Sequence, residues 1–321
     1  MNVSIVVEWE NALLIDLDRP IAMLEALVDQ ANALRSSREI EFELLIMADF
    51  EEIEPHVVET ALRESGAHAL FPGAIRIEDA PGLHYYEQKN IGAERARHDL
   101  LIFLDSDVVP EPGWLEALVA VFDDPSVNIC AGNPYIDDSG LWSRIFALFW
   151  FFEPRTVPSD AGLTPARSLN ANNLAVRRAF FLSHRYARED SYRGQCRELA
   201  KRLRAGGEAL YRQPRARVAH PPPSDRQHFI QRAAAHGHGA VYWSRKRHGV
   251  WAANPLTVPF WFLARAGSVV RNVLRRRRAS GAGWSTALAA VGVGVFYYLV
   301  AAGAALVATI NRKSIRRRVS I

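Results

Sequence analysis

Three short, mostly apolar runs, Val3–Val7, Phe42–Met47 and Leu100–Leu104, constrain the fold more than any other feature of the chain. Each is too short for a helix and too apolar on both faces for a surface strand, which is the pattern of strands buried within a parallel sheet. Helix-period segments separate them. Ile21, Leu24, Leu27, Val28, Ala31 and Leu34 repeat at helical spacing, with Pro20 suited to a first turn. A shorter helix around Val57–Arg63, a strand at Ala74–Ile77 and a helix over Tyr85–Arg97 complete the passage. Alternation of this kind predicts an α/β sandwich with a mainly parallel sheet, and ligands in such sheets sit beyond the carboxyl ends of the strands. Further on, the spacing predicts a helix over Trp114–Phe122 and a strand over Val127–Ala131 that ends at Gly132-Asn133-Pro134. A buried aromatic helix is expected over Leu141–Phe152, then a strand at Asn172–Val176 and a helix across Gln195–Arg204. Strands at Ala209–Arg212 and Ala216–His220 follow, and Pro221-Pro222-Pro223 closes the domain.

The chain has 321 residues and a net charge of +4, but the charge is unevenly placed. No Asp or Glu follows Asp225, whereas residues 226–321 hold 16 Lys and Arg; the first 225 residues carry 23 bases against 35 acids. An acidic body, 1–225, and a basic tail, 226–321, are expected to meet different surroundings. Because the tail is also strongly apolar, a membrane fits it better than nucleic acid. Ser285–Ile310 has 26 residues without a charge, enough for a helix to cross a hydrocarbon core of about 30 Å. Pro255–Ala264 is too short to span and reads, out to about residue 273, as an interfacial segment. Arg275–Arg278 precede the long run and Arg312, Lys313 and Arg316–Arg318 follow it, so the distribution of positive charge leaves the topology open. Val3–Val7 runs directly into Glu8 and reads as a first strand rather than a secretory signal. Cys130 and Cys196 form no spaced cluster and suit a reducing compartment.

Chemistry is concentrated in Leu100-Leu101-Ile102-Phe103-Leu104-Asp105-Ser106-Asp107. Two Asp residues one apart on the turn after a buried strand can address one hard divalent cation and the diphosphate it neutralises. A bare Asp-x-Asp is weak, since many loops cap a helix with one; its place after an apolar strand and before Pro110 and Trp114 strengthens it.

Gln88-Lys89-Asn90-Ile91-Gly92-Ala93-Glu94-Arg95-Ala96, then that strand and turn, then Pro110 and Trp114-Leu115, resembles the family 2 glycosyltransferases of the GT-A fold. The likeness runs from Val3 to about His220. It implies a Rossmann-like α/β/α sandwich followed here by C-terminal membrane-associated helices. It further implies a nucleoside-diphosphate sugar donor of UDP or GDP type, Mg²⁺ or Mn²⁺ as cofactor, and a glycan or lipid-linked acceptor. The setting it suggests is envelope or exported polysaccharide assembly at the cytoplasmic face of a cell membrane. By the same likeness, Glu8 and Asn11 in the first turn, Asp49 after the second strand, Asn90, Asp105 and Asp107 hold the donor. Asp105 and Asp107, with His220 at a late strand end, are the candidate metal ligands. Asn170–Arg178 resembles the family's acceptor-side segment.

The likeness breaks where inverting members carry an acidic pair that deprotonates the acceptor. Gln195-Cys196 stands there, and neither side chain is a suitable base. Asp190, in a literal Glu189-Asp190 pair, or Glu198, one turn into the helix, can serve, or the base comes from elsewhere. His236 and His238 are expected in a basic, membrane-proximal loop. Two other classes stay in view: a nucleotidyltransferase, whose Gly-rich, Lys-bearing loop Glu8–Asn11 does not provide, and a membrane-tethered, catalytically silent binding module.

Overall fold

The computed structural model describes residues 1–137, 139–155, 162–249 and 253–310. In chain order the elements are β1 (Val3–Glu8), α1 (Asp18–Ser37), β2 (Phe42–Ala48), α2 (Pro55–Glu64), α3 (Ala67–Leu70), β3 (Ile75–Asp79) and α4 (Tyr85–Arg95). There follow β4 (Leu100–Asp105), β5 (Val109–Pro110), α5 (Trp114–Val121), β6 (Ile129–Ile136), α6 (Leu141–Phe149), β7 (Glu153–Pro154), β8 (Thr164–Pro165) and β9 (Asn173–Arg177). The last are α7 (Arg178–His184), α8 (Gln195–Ala205), β10 (Tyr211–His220), α9 (Arg226–His248), α10 (Val258–Ser280) and α11 (Trp284–Ile310). They form two compact units, one of Met1–Pro134, Pro158–Arg188 and Gln195–His220, the other of Tyr135–Val157, Glu189–Gly194 and Pro221–Ile321. The second unit thus takes in the aromatic helix α6 as well as the expected 226–321 tail. Of that tail, the basic cluster at Arg312, Lys313 and Arg316–Arg318 lies outside the described residues.

The first unit is the α/β body. Its sheet runs β3-β2-β1-β4-β9-β6-β10-β5, with β8 on β10. β3, β2, β1 and β4 are parallel, and β9 lies antiparallel between β4 and β6. Strands β1, β2 and β4 are buried at every position, as their composition requires. The core beneath them joins Leu24, Leu27, Leu44, Ile46, Ile102 and Trp114. Gly92 in α4 faces Val6 so closely that a Cβ would overlap the valine side chain, so this glycine seats α4 on β1.

Two expectations change here. β6 continues through Gly132-Asn133-Pro134 to Ile136 instead of ending there. Gly132 lies where the Asn173 side chain crosses, leaving no room for a Cβ, and its carbonyl accepts a hydrogen bond from Arg212 Nη1 at 3.0 Å. The two late strands are one continuous β10, which passes through Pro214.

In the second unit β7 pairs in parallel with the end of β6, and α6, α9, α10 and α11 pack around Phe146, Phe149, Trp150, Phe229 and Tyr297. His236 and His238 lie on α9 and not in a loop. Gly237 between them touches the Ala301 carbonyl, where any Cβ would overlap, so the glycines permit close helix packing. Burial pushes the His236 imidazole down to about 3, and the ring packs on Trp261 and Tyr298. The segment expected to be interfacial is part of a longer helix, which reaches through Arg275–Arg278 to Ser280. Arg276 is buried and donates to the carbonyls of Ala147, at 2.9 Å, and Trp150, closing the carboxyl end of α6. α11, at 27 residues, is long and apolar enough to cross a membrane.

Candidate functional site

The strand register assembles the site. Glu8 and Asp105 are direct partners at the carboxyl ends of β1 and β4, and both are buried. Glu8 turns back on its own loop, accepting hydrogen bonds from the Asn11 side chain at 2.7 Å and the Glu10 amide at 3.0 Å. Asn11 also donates to Asp105, at 3.3 Å. Glu10 accepts from the Tyr85 amide at 2.6 Å, placing an acid at the start of α4 where the helix dipole favours it.

That anchor aims α4. Tyr85 and Lys89 are four residues apart and share one face of the helix. Tyr85 Oη donates to Asp105 at 2.8 Å, and the fully buried Lys89 ammonium pairs with Asp105 at 2.8 Å and lies 4.6 Å from the Tyr85 ring centroid. Neither residue stands out in the sequence as a site group. The signal that finds them is the (i, i+4) pair facing the strand-end carboxylate.

One ammonium answers several carboxylates here. Burial raises the Glu8 carboxyl well above its ordinary range; Asp105 adds to the rise and Lys89 opposes it. Burial also lifts Asp105 to about 6, with Lys89 working against the shift and Asp107 with it. Glu10 rises to about 7, again chiefly through burial. Such a cluster favours a further cation.

Asp107 and His220 come together because β10 pairs antiparallel with β5, Ala219 opposite Val109. His220 Nε2 lies 3.7 Å from Asp107 Oδ2, and both residues are buried. Arg19 of α1 joins the two segments, donating to the carbonyls of Asp107 at 2.9 Å and Ala219 at 2.8 Å. Two ligands about 2.1 Å from one octahedral ion stand roughly 3.0 Å apart when adjacent and 4.2 Å when opposite, so the observed spacing falls between the two and a side-chain adjustment of about half an ångström would be needed to share an ion. Among the described residues no group of three His, Cys, Asp or Glu side chains is arranged to hold a metal. An ion held by this pair would have to take its remaining ligands from phosphate and water, as Mg²⁺ and Mn²⁺ can.

The other expected site residues fall into place differently. Asp49, just past β2, accepts from the amides of Glu51 at 3.0 Å and Gly82 at 2.8 Å, so its carboxylate orders the loop after β3. Asn90 clamps the backbone of Tyr186, donating at 2.9 Å and accepting at 3.2 Å. Within the acceptor-side segment, Asn173 bridges Trp114 Nε1 and the Ala216 carbonyl, and Arg178 closes the end of α4 by donating to Ala93 and Glu94; these contacts are structural. Cys196 lies in the first unit, its thiol 3.9 Å from Tyr186 Oη, and burial pushes it up to about 11. That direction favours the protonated thiol, which does not serve as a base. Glu198, partly buried on α8, is 3.7 Å from Lys201. Asp190 belongs to the second unit, where its amide donates to Tyr242 Oη at 3.4 Å; the adjoining Glu189 binds Tyr242 Oη at 2.6 Å and pairs with Lys246.

A parallel sheet that turns mixed at β9, with an Asp-x-Asp turn at the end of β4, defines a GT-A-type nucleotide-sugar fold. The sequence pattern of "Glycosyl transferase family 2" matches residues 23–185, half of the chain, and the chain belongs to that family and carries its transferase domain. Solved structures share the fold. S. aureus TarS 1–349, crystallised with UDP-GlcNAc, aligns with a TM-score of 0.51 at 11% identity, covering 93% of this chain and 89% of TarS. GalNAc-T7, crystallised with UDP, GalNAc and Mn²⁺, aligns at 0.50 and 15%, covering 70% of this chain and 44% of that one. Among curated proteins, the pre-mycofactocin glycosyltransferases of two Mycobacterium tuberculosis strains (CDC 1551 / Oshkosh and H37Rv) are each 29% identical over 161 residues. The match takes in 48% of this chain and spans only 33% of the length of those relatives.

Proposed function

We propose that the protein transfers a sugar, with inversion, from a nucleoside-diphosphate sugar of UDP type to a glycan or lipid-linked acceptor at a membrane surface. The observation that carries this reading is the pairing of Asp107 with His220 at 3.7 Å beside the buried Glu8, Asp105 and Lys89 cluster, at the carboxyl ends of parallel strands in a family 2 domain. The uridine nucleotides with which the two structural neighbours were crystallised, UDP and UDP-GlcNAc, support uridine as the base.

Asp107 and His220 would hold the divalent cation, and an imidazole in the set suits Mn²⁺ better than Mg²⁺. When bound, the ion neutralises charge developing on the departing diphosphate. Asp105 is spoken for by Lys89, Tyr85 and Asn11, so its part is to fix the turn and face the ribose side of the donor. The Glu8–Asn11 turn and the Asp49 loop border the base. The acceptor hydroxyl attacks the anomeric carbon as the bond from that carbon to the diphosphate oxygen breaks. Its proton passes to a carboxylate, which we assign to Asp190, with Glu198 as the alternative. The tail would place this chemistry at the cytoplasmic membrane face, with α10 and α11 as the attachment.

Purified full-length protein with UDP-sugars, Mn²⁺ and candidate acceptors should release UDP. Pyrophosphate release instead would indicate a nucleotidyltransferase. Asp190→Asn should spare donor binding and lower turnover about 100-fold or more; full activity would move the assignment to Glu198. A second reading is supported by the neutral Cys196 thiol at the expected base position: a domain that binds donor without turning it over. Donor binding without UDP release across the acceptor panel would favour it.

A further inference from the structure

α11 is packed inside out. Its buried positions are Ala287, Ala290, Gly294, Ala301, Ala305 and Ala308, with Tyr297 the one large side chain among them. The large apolar side chains point outward: Leu288 is 70% exposed, Phe296 53%, Leu299 55% and Ile310 73%. Helix α10 adds Phe260, Leu263, Val270 and Leu274, exposed at spacings that share one helical face. Arg271 and Arg275 are exposed on the same helix. Trp284, exposed at the start of α11, has the Arg277 guanidinium 3.8 Å from its ring centroid. Two exposed apolar helix faces accompanied by arginine and tryptophan, in a stretch without one acidic residue, complement an anionic lipid surface.

The packing of α9 decides how α11 meets that surface. Phe229 stacks on Phe296 with ring centroids 6.1 Å apart, Tyr297 Oη donates to the Arg232 carbonyl at 3.0 Å, and Gly237 abuts Ala301. Arg245 then donates to the carbonyls of Ala308 at 3.1 Å and Thr309 at 2.9 Å. From Phe296 to Thr309, about 20 Å of α11 lies alongside a helix that carries Arg232, His236, His238 and Arg245. The irregular segment 189–194 also packs on α9, through the Glu189–Lys246 ion pair and the bond from Trp243 to the Arg193 carbonyl. A perpendicular α11 would draw this polar helix and irregular backbone toward hydrocarbon, which excludes both.

We propose that α11 does not cross the membrane but lies along an anionic bilayer, its outer stripe and that of α10 sunk to the headgroup–acyl boundary, with both ends of α11 on one side. This rests on the membrane attachment proposed above. Ser285→Cys and Thr309→Cys, placed singly in the full chain, would be treated with a membrane-impermeant maleimide in spheroplasts and in inverted membrane vesicles of expressing bacteria. The inference expects both to react in inverted vesicles and neither in spheroplasts. Reaction of one site from each side would mean a span and would overturn the in-plane arrangement while leaving attachment intact. A chain recovered wholly in the soluble fraction would overturn attachment and orientation together. With the purified chain, phosphatidylglycerol vesicles should be bound at least tenfold more tightly than phosphatidylcholine vesicles. Phe260→Asp with Leu263→Asp should abolish that binding without shifting the melting temperature, and Arg271→Gln or Arg275→Gln should each weaken it about fivefold. A detergent-free dimer that these Asp substitutions dissociate, with no vesicle binding, would make a second copy the occupant and refute the proposal.

Discussion

The two units treat the same residue types in opposite ways. In the α/β unit the large apolar side chains go inward, and the buried charge collects at the strand ends around Lys89 and Asp105. Along α11 of the helical unit the small residues go inward and Leu288, Phe296, Leu299 and Ile310 face out. Buried charge there works on the backbone instead, as Arg276 does at the end of α6. The first unit obeys the rules for a protein in water and departs from them where a charged ligand is expected. The second departs along one face of α11, which is what the membrane attachment proposed above would require.

The largest effect that tests this contrast is on ligand binding. Asp107→Asn should abolish Mn²⁺-dependent UDP-sugar binding, by about 100-fold or more in titration calorimetry, with the fold intact; unchanged affinity would remove the turn from the donor site. Lys89→Met leaves Asp105 and Glu8 without their ammonium and should cost about 3–5 kcal/mol of stability in denaturant unfolding. Arg276→Met, which strands only carbonyls, should cost less, about 1–3 kcal/mol; equal losses would erase the distinction between the two uses of buried charge.

Glu10 gives the contrast a pH dependence. Below about pH 4.5 its carboxyl is protonated in folded and unfolded chains alike, and between there and about pH 7 only the folded chain retains the proton. Its contribution to stability is therefore present at low pH and lost as pH rises through that window, by a ceiling on the order of 3 kcal/mol. Glu10→Gln should flatten the fall in melting temperature between pH 5 and 7.5; an unaltered profile would show that Glu10 titrates normally. In the helical unit, Gly237→Ala should cost about 1–3 kcal/mol because α9 must retreat from Ala301. Leu288→Ser, on the outward face, should change stability in water by less than about 0.5 kcal/mol.

The parallel half of the sheet was readable because β1, β2 and β4 are buried on both faces and carry little but apolar residues. The spacing of Gly132-Asn133-Pro134 reads as a strand end because its glycine answers the Asn173 side chain of the neighbouring β9, which is remote in sequence and leaves no local record. His236-Gly237-His238-Gly239 looked like a loop for the same reason: glycine lowers helix propensity, and only contact with α11 explains its presence inside α9. The Asp105–Asp107 turn was legible as a motif. That Asp105 is held by Lys89 and Tyr85, while Asp107 meets His220, depended on strand register and on how Glu10 anchors α4. The two carboxylates expected as candidate bases, Asp190 and Glu198, fall in different units, a separation that their closeness in sequence does not reveal.

The two cysteines have a practical consequence. Burial pushes the Cys130 thiol up to about 12 and the Cys196 thiol up to about 11, which favours the protonated form of both at neutral pH. Maleimides and alkylating reagents act through the thiolate, so the wild-type chain is expected to label slowly and is the control against which an introduced cysteine is read. Fast reactivity of the fully buried Cys130 would report that the α/β unit has opened.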